Sequence, residues 1–109
     1  MTTHTDKIRF LNDELRRSLP NQNAFITTGV AALGADFVER LLKTVTLFDD
    51  FHHANDPHQE HDFGAFKVDG HELFFKIDYY DPTLAHHSDN PADPAITRRV
   101  ITLMLASEY

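Results

Sequence analysis

The chain has 109 residues, 41% of them hydrophobic, with nine Phe, no Cys and a formal charge of −7 at neutral pH. That size and composition fit one domain over residues 1–109 that closes a single core unaided, and they exclude disulfides and thiolate metal centres. A pI near 5.5 sets direct nucleic-acid binding aside, because phosphates would be repelled. No run approaches the ~20 apolar residues of a membrane span, and the polar beginning lacks the apolar stretch of a signal peptide, so a cytoplasmic protein is expected.

The first predicted helix runs from Thr5 to Leu19, with Ile8, Leu11, Leu15 and Leu19 on one face. Thr5 is its expected cap, Asp6 sits near its positive end, and Pro20 and Asn21 stop it. Ala24 to Thr28 is a short β-capable run closed by Gly29. A second helix is predicted over Asp36 to Phe48, striped by Phe37, Val38, Leu41, Leu42, Val45 and Phe48, with Glu39, Arg40 and Lys43 facing water. Asp49 to Asp62 is polar and too long for a mere connector. Phe63 to Tyr80 reads as a hairpin, because Asp69-Gly70 is a type I′ turn signal between two β-rich runs. In its second strand Leu73, Phe75, Ile77 and Tyr79 should face the core. A second polar loop covers Asp81 to Asp93. Asp93-Pro94 has the chemistry of a helix start, so a final helix is predicted to about Ser107, apolar around most of its girth through Ile96, Val100, Ile101, Leu103, Met104 and Leu105. The order α-β-α-β-β-α predicts an α+β domain, a small, mainly antiparallel sheet with its helices on one face.

Charge is distributed unevenly. Asp49 to Asp93 holds eleven acids against only Lys67 and Lys76, a net −9, together with seven of the eight histidines. The hairpin register concentrates part of this set. A turn at Asp69-Gly70 pairs Val68 with His71, Phe66 with Leu73, and Gly64 with Phe75, where the missing side chain leaves room for the ring. Continued outward, Phe63 opposes Lys76 and His61 opposes Asp78, with Tyr80 flanking and Glu60 and Asp62 bordering. A carboxylate beside a histidine fixes its tautomer and raises its basicity, which suits a general base. The same pair also serves metal second shells, and at a strand end it is more often structural.

His58-Gln59-Glu60-His61 places two imidazoles three apart, so His58, His61 and Asp62 are the candidate ligands for a metal, zinc above all. The spacing lacks the Glu and the helical register of the His-Glu-x-x-His motif. His52-His53 and His86-His87 are adjacent pairs whose side chains diverge, and they read as solvated. Gly29 to Gly34 has no phosphate-cradling pattern, and Ser18, Ser88 and Ser107 lie near no evident base. Arg98 and Arg99, on the predicted last helix, could bind a carboxylate or phosphate, but such a pair is more often a solvated face or counter-charge to the acidic loops.

The runs Asn55-Asp56-Pro57-His58-Gln59-Glu60-His61-Asp62-Phe63-Gly64, Phe74-Phe75-Lys76-Ile77-Asp78-Tyr79-Tyr80-Asp81 and Asn90-Pro91-Ala92-Asp93-Pro94, with the ending Arg99 to Tyr109, resemble the bacterial domain-of-unknown-function family 3768. The likeness covers about Ile8 onward. It implies a small bacterial protein often carried on plasmids or other mobile elements, and it supplies no activity. It also implies that Glu60, His61, Asp62, Lys76, Asp78 and Tyr80 belong to a characteristic surface, coinciding with the register argument.

The leading expectation is a small acidic interaction protein rather than an enzyme. It would be an inhibitor of the anti-CRISPR or anti-restriction kind, occupying a basic, nucleic-acid-binding surface of a host enzyme. Its expected binding surface comprises Asp56, Glu60, His61, Asp62, Lys76, Asp78, Tyr80 and Asp81. The alternative is a metal-dependent or His–Asp-assisted hydrolase centred on His61 and Asp78, which requires a concave pocket around His61. A homodimer through the hairpin edge or first helix is a third reading.

Overall fold

The computed structural model describes residues 3–19, 24–52 and 54–109. Helix α1 spans His4–Arg17, and its cap is Thr3 rather than Thr5: the Thr3 hydroxyl accepts from the Asp6 amide while the Asp6 carboxylate accepts from the Thr3 amide. The expected stop at Pro20-Asn21 lies outside the described residues. The buried face of α1 also differs from the expected leucine stripe. Ile8 and Leu19 are buried, but Asn12 and Arg16 lie between them, with Leu11 and Leu15 only half-buried. The reason is that α1 packs over polar groups of the sheet and loops. Asn12 and Arg16 satisfy those groups where leucines could not.

Strand β1, Phe25–Ile26, leads into the one-turn helix α2, Thr28–Ala31, and then α3, Ala35–Leu47. Phe37, Leu41 and Val45 of α3 are buried, as its stripe predicts. The hairpin forms as expected from β2, Phe63–Val68, and β3, His71–Tyr80. Its register is Val68 with His71, Phe66 with Leu73, Gly64 with Phe75, and Phe63 with Lys76. Asp69 and Gly70 take φ of 52° and 83°, the two positive values of a type I′ turn. Gly64 is required by packing. A Cβ there would lie 2.2 Å from the Phe75 ring and 2.7 Å from the Phe48 ring.

The last element is a strand, β4, Arg98–Leu105, not a helix. It lies between β1 and β3 in a four-stranded sheet of order β1-β4-β3-β2, parallel to β1 and antiparallel to β3. Its apolar girth is that of a central strand, with Ile101 and Leu103 in the core and Val100 and Met104 on the opposite face, a pattern that periodicity alone does not separate from a buried helix. The Asp93-Pro94 signal is spent on a turn: the Asp93 amide donates to Asn90 O at 2.9 Å and the Asp93 carboxylate accepts from the Ala95 amide at 2.9 Å. A 3₁₀ turn, Ala106–Glu108, follows β4.

Among the described residues the fold is thus α+β, with three helices and a mainly antiparallel sheet. The inner sheet face, through Leu73, Phe75 and Ile77 of β3 and Ile101 and Leu103 of β4, forms the core with Ile8, Leu41 and Val45 of the helices. Phe66 of β2 and Val100 of β4 are only half-buried. Val100 pairs with Asp78 and so belongs to the other face of the sheet.

Candidate functional site

The 55–62 loop determines which polar groups meet. Asp56 is 4% exposed, and its carboxylate accepts the amides of Glu60 (3.0 Å) and His61 (3.1 Å). Gln59 and His61 adopt left-handed φ of 58° and 57°, so the chain turns sharply just before β2. Three groups pin the turn to the inner side. Arg9 donates to Gln59 O at 3.0 Å, Asn12 Nδ2 to Glu60 O at 3.0 Å, and the Tyr79 hydroxyl to Glu60 Oε1 at 2.8 Å. Asn12 Nδ2 also donates to the Tyr79 oxygen at 2.7 Å, while its Oδ1 accepts from Arg99 Nε at 2.9 Å. Arg99 lies over the Tyr79 ring and also donates to Pro91 O. Burial, reinforced by Glu60, holds the Tyr79 phenol far above its ordinary range, so it acts as a hydrogen-bond donor and not as a titrating acid.

These contacts overturn the pairing of His61 with Asp78. The ladder ends at Phe63 and Lys76, Asp62 O accepts the Ile77 amide at 2.8 Å, and the turn then carries His61 to the helical side. There its ring stacks on Phe51 with centroids 3.8 Å apart. Nδ1 lies 2.8 Å from Asp13, and Nε2 faces Asp56 at 3.7 Å. Nδ1 is thus held by a carboxylate of the fold, and Nε2 lies near a second one. Asp13 is shared with the buried Arg16 at 3.0 Å, which also donates to Val45 O at 3.3 Å at the end of α3. His61 ties α1 to the loop.

Asp78 points away from this network, on the outer face, where it pairs with Lys76 at 3.1 Å. The hydrolase centred on His61 and Asp78 thus loses its dyad. The proposed metal ligands are divided likewise, because His58 and Asp62 line a cleft on the outer face while His61 lines a separate hollow with Arg9 and Phe51. Among the described residues no three His, Asp or Glu side chains converge as a metal site. His52, His86 and His87 are exposed as expected, and His53 lies outside the described residues.

The acids anticipated as one surface serve separate purposes. Asp56 and Glu60 are spent within the loop. The Asp81 carboxylate accepts the Thr83 hydroxyl and the amides of Thr83 and Ala85, which hold it below the usual carboxylate range. Tyr80 pairs with Arg98 farther along the sheet. Only Asp62, Lys76 and Asp78 of the expected set meet in the outer cleft, whose volume is about 630 Å³.

Thr102 and Met104 of β4 line the cleft beside Lys76 and Asp78. Phe63 and Tyr109 form an aromatic side, with ring centroids 5.8 Å apart. Asn55, Pro57 and His58 form the opposite rim, and Thr27 and Glu108 close one end. Glu108 is fixed as an anion by the Thr27 hydroxyl (2.6 Å) and the amides of Leu105 (2.9 Å) and Gly29 (3.2 Å), which lower its pKa. Asp62 has no cation within ion-pair distance among the described residues. Its partial burial, with Glu60 and Asp56 nearby, raises its carboxyl above the ordinary range. Thr102 and Met104 were hidden to sequence reasoning by the helix assignment. Reading residues 98–105 as a strand would have placed them opposite Lys76 and Phe74.

No curated protein and no solved structure matches the chain. A family model described as "Protein of unknown function (DUF3768)" matches residues 26–108, taking in the sheet except Phe25 and most of the cleft lining while leaving α1 outside, and the chain belongs to that family.

Proposed function

We propose that the protein is a small acidic interaction module that docks through the outer face of its sheet onto a basic surface of a partner protein. The observation that carries this reading is the charge of the outer cleft. Asp62, Asp78 and Glu108 face it against one cation, Lys76, which Asp78 already holds. A phosphate or other anion entering the cleft would meet a net repulsion, and a cationic group a net attraction. The exposed Phe25 and Tyr109 and the half-buried Phe63 and Phe74 supply area that excludes water around such contacts. A second copy of the chain carries the same negative charge, which disfavours self-association through this face.

The mobile-element setting implied by the family resemblance supplies the partner class. It is a host defence enzyme whose basic groove normally holds nucleic acid, inhibited in the anti-CRISPR or anti-restriction manner. The test is retention of host proteins on the immobilised chain. The expected partner is retained at about 50 mM salt and released towards 500 mM, a range over which the Debye length falls about threefold. Added DNA or RNA displaces it, and Asp62→Lys with Asp78→Lys abolishes retention. Retention indifferent to salt, to nucleic acid and to charge reversal would overturn the proposal.

A further inference from the structure

We infer that the outer-face cleft is the seat of one arginine side chain of the partner, its guanidinium between Asp62 and Asp78 and its stem along Phe63 and Tyr109. The inference rests on the acidic-module reading and names what that module grips.

The cleft is concave, and at about 630 Å³ it falls within the range of sites that enclose a small group. Its walls differ in kind. Phe63 and Tyr109 bring two aromatic rings together, and ring faces attract a delocalised cation and cover an aliphatic stem. Asp62 and Asp78 offer carboxylates from adjoining stretches of backbone, since Asp62 O bonds the amide of Ile77, the residue before Asp78. Thr102, across from Lys76 on β4, adds a hydroxyl that accepts as well as donates.

Arginine meets these demands better than lysine. Its planar fork reaches two acceptors at once, stacks on aromatic faces and sheds water more readily than an ammonium. The existing Lys76–Asp78 pair is no obstacle. Both side chains are more than a third exposed, and exposed pairs of this kind contribute little. An incoming guanidinium can therefore take Asp78 while Lys76 returns to solvent. Asp62 has no such cation to give up among the described residues. It is a partly desolvated carboxylate that also feels the charges of Glu60 and Asp56, and a cation beside it relieves that repulsion.

The experiment titrates the isotope-labelled full chain with N-acetyl-arginine methylamide, and in parallel with the lysine and citrulline analogues, by amide NMR. Citrulline keeps the shape of arginine and removes its charge. The expected result is saturable shifts at the amides of Asp62, Lys76, Asp78 and Thr102, with arginine binding at least tenfold tighter than citrulline and also tighter than lysine. Asp62→Asn, checked as folded by its own spectrum, should weaken arginine binding about tenfold, the worth of one charge-assisted hydrogen bond. Asp78→Asn provides a second reading at an exposed position. Equal responses to all three probes, shifts away from the cleft, or no effect of either substitution would overturn the inference. If arginine finds no site here while partner retention still responds to salt and charge reversal, the inference falls alone. If retention has lost those responses as well, the acidic-module reading falls with it.

Discussion

On the inner side of the sheet, Asp13, Asp56 and Glu60 are each engaged by a cation, a backbone amide or a hydroxyl, and their charges hold α1 and the 55–62 loop in place. On the outer face Asp62, two residues from Glu60, has no cation within ion-pair distance among the described residues, and Asp78 is held by a lysine that solvent shares. The contrast shows that an acidic sequence is not the same as an acidic surface. Part of the −9 of residues 49–93 is internal wiring, and a smaller part is presented outward. Polar groups satisfied inside a fold specify its architecture, whereas a carboxylate left without a partner at some cost to stability is the kind of local conflict that accompanies a binding site.

The largest effect should come from the inner face. Phe75 is completely buried between Phe48 and Phe66 and fills the space above Gly64. Phe75→Ala is expected to cost about 3–5 kcal/mol in denaturant unfolding. A variant as stable as the wild type would show that the inner face does not carry the core, and the distinction between the two faces would collapse.

The hairpin was legible in the sequence because its turn residues and two-residue alternation agree on one register, and Gly64 opposite Phe75 followed from it. Helix α3 was legible because its stripe is apolar throughout. Three features were not. The last strand is apolar on both faces, so periodicity could not tell it from a buried helix, and Asp93-Pro94 made a turn that mimics a cap. The polar face of α1 could not be anticipated, because Asn12 and Arg16 look solvent-bound until their partners on distant segments are placed. Extrapolating the hairpin beyond Phe63 failed at His61, whose left-handed backbone reverses the face it would have shared with Asp78. The cleft followed the same division: Asp62, Lys76 and Asp78 were identified, and the β4 and aromatic walls were not.

An intermediate effect should distinguish wiring from surface. Asn12 is fully buried and makes hydrogen bonds to Tyr79, Glu60 and Arg99. Asn12→Ala strands their polar atoms and should cost about 1–3 kcal/mol. Arginine binding at the outer cleft should be reduced only as far as the loop loosens. A variant of wild-type stability in thermal unfolding would mean that water replaces Asn12 without penalty, and that the inner network is less essential than its geometry implies.

The smallest effect has the opposite sign and bears on the outer face alone. Because the folded state raises the carboxyl of Asp62 above its ordinary range, the native protein takes up that proton more readily than the unfolded chain does. By linkage, protonation stabilises the fold at low pH, and this contribution is lost as pH rises through the folded pKa. At neutral pH the ionised carboxylate therefore weighs against folding, and Asp62→Asn should raise the melting temperature by up to a few degrees. The gain should shrink as pH falls and vanish below about 3.8, where the wild-type carboxyl is neutral in both states. Bound N-acetyl-arginine methylamide should lower the Asp62 pKa in the wild type, read directly from its carboxyl carbon resonance. An Asp62→Asn variant destabilised at neutral pH, or an Asp62 resonance that titrates identically with and without the probe, would place this carboxylate among the internal wiring. The distinction between the two faces would then have to be drawn at Asp78 instead.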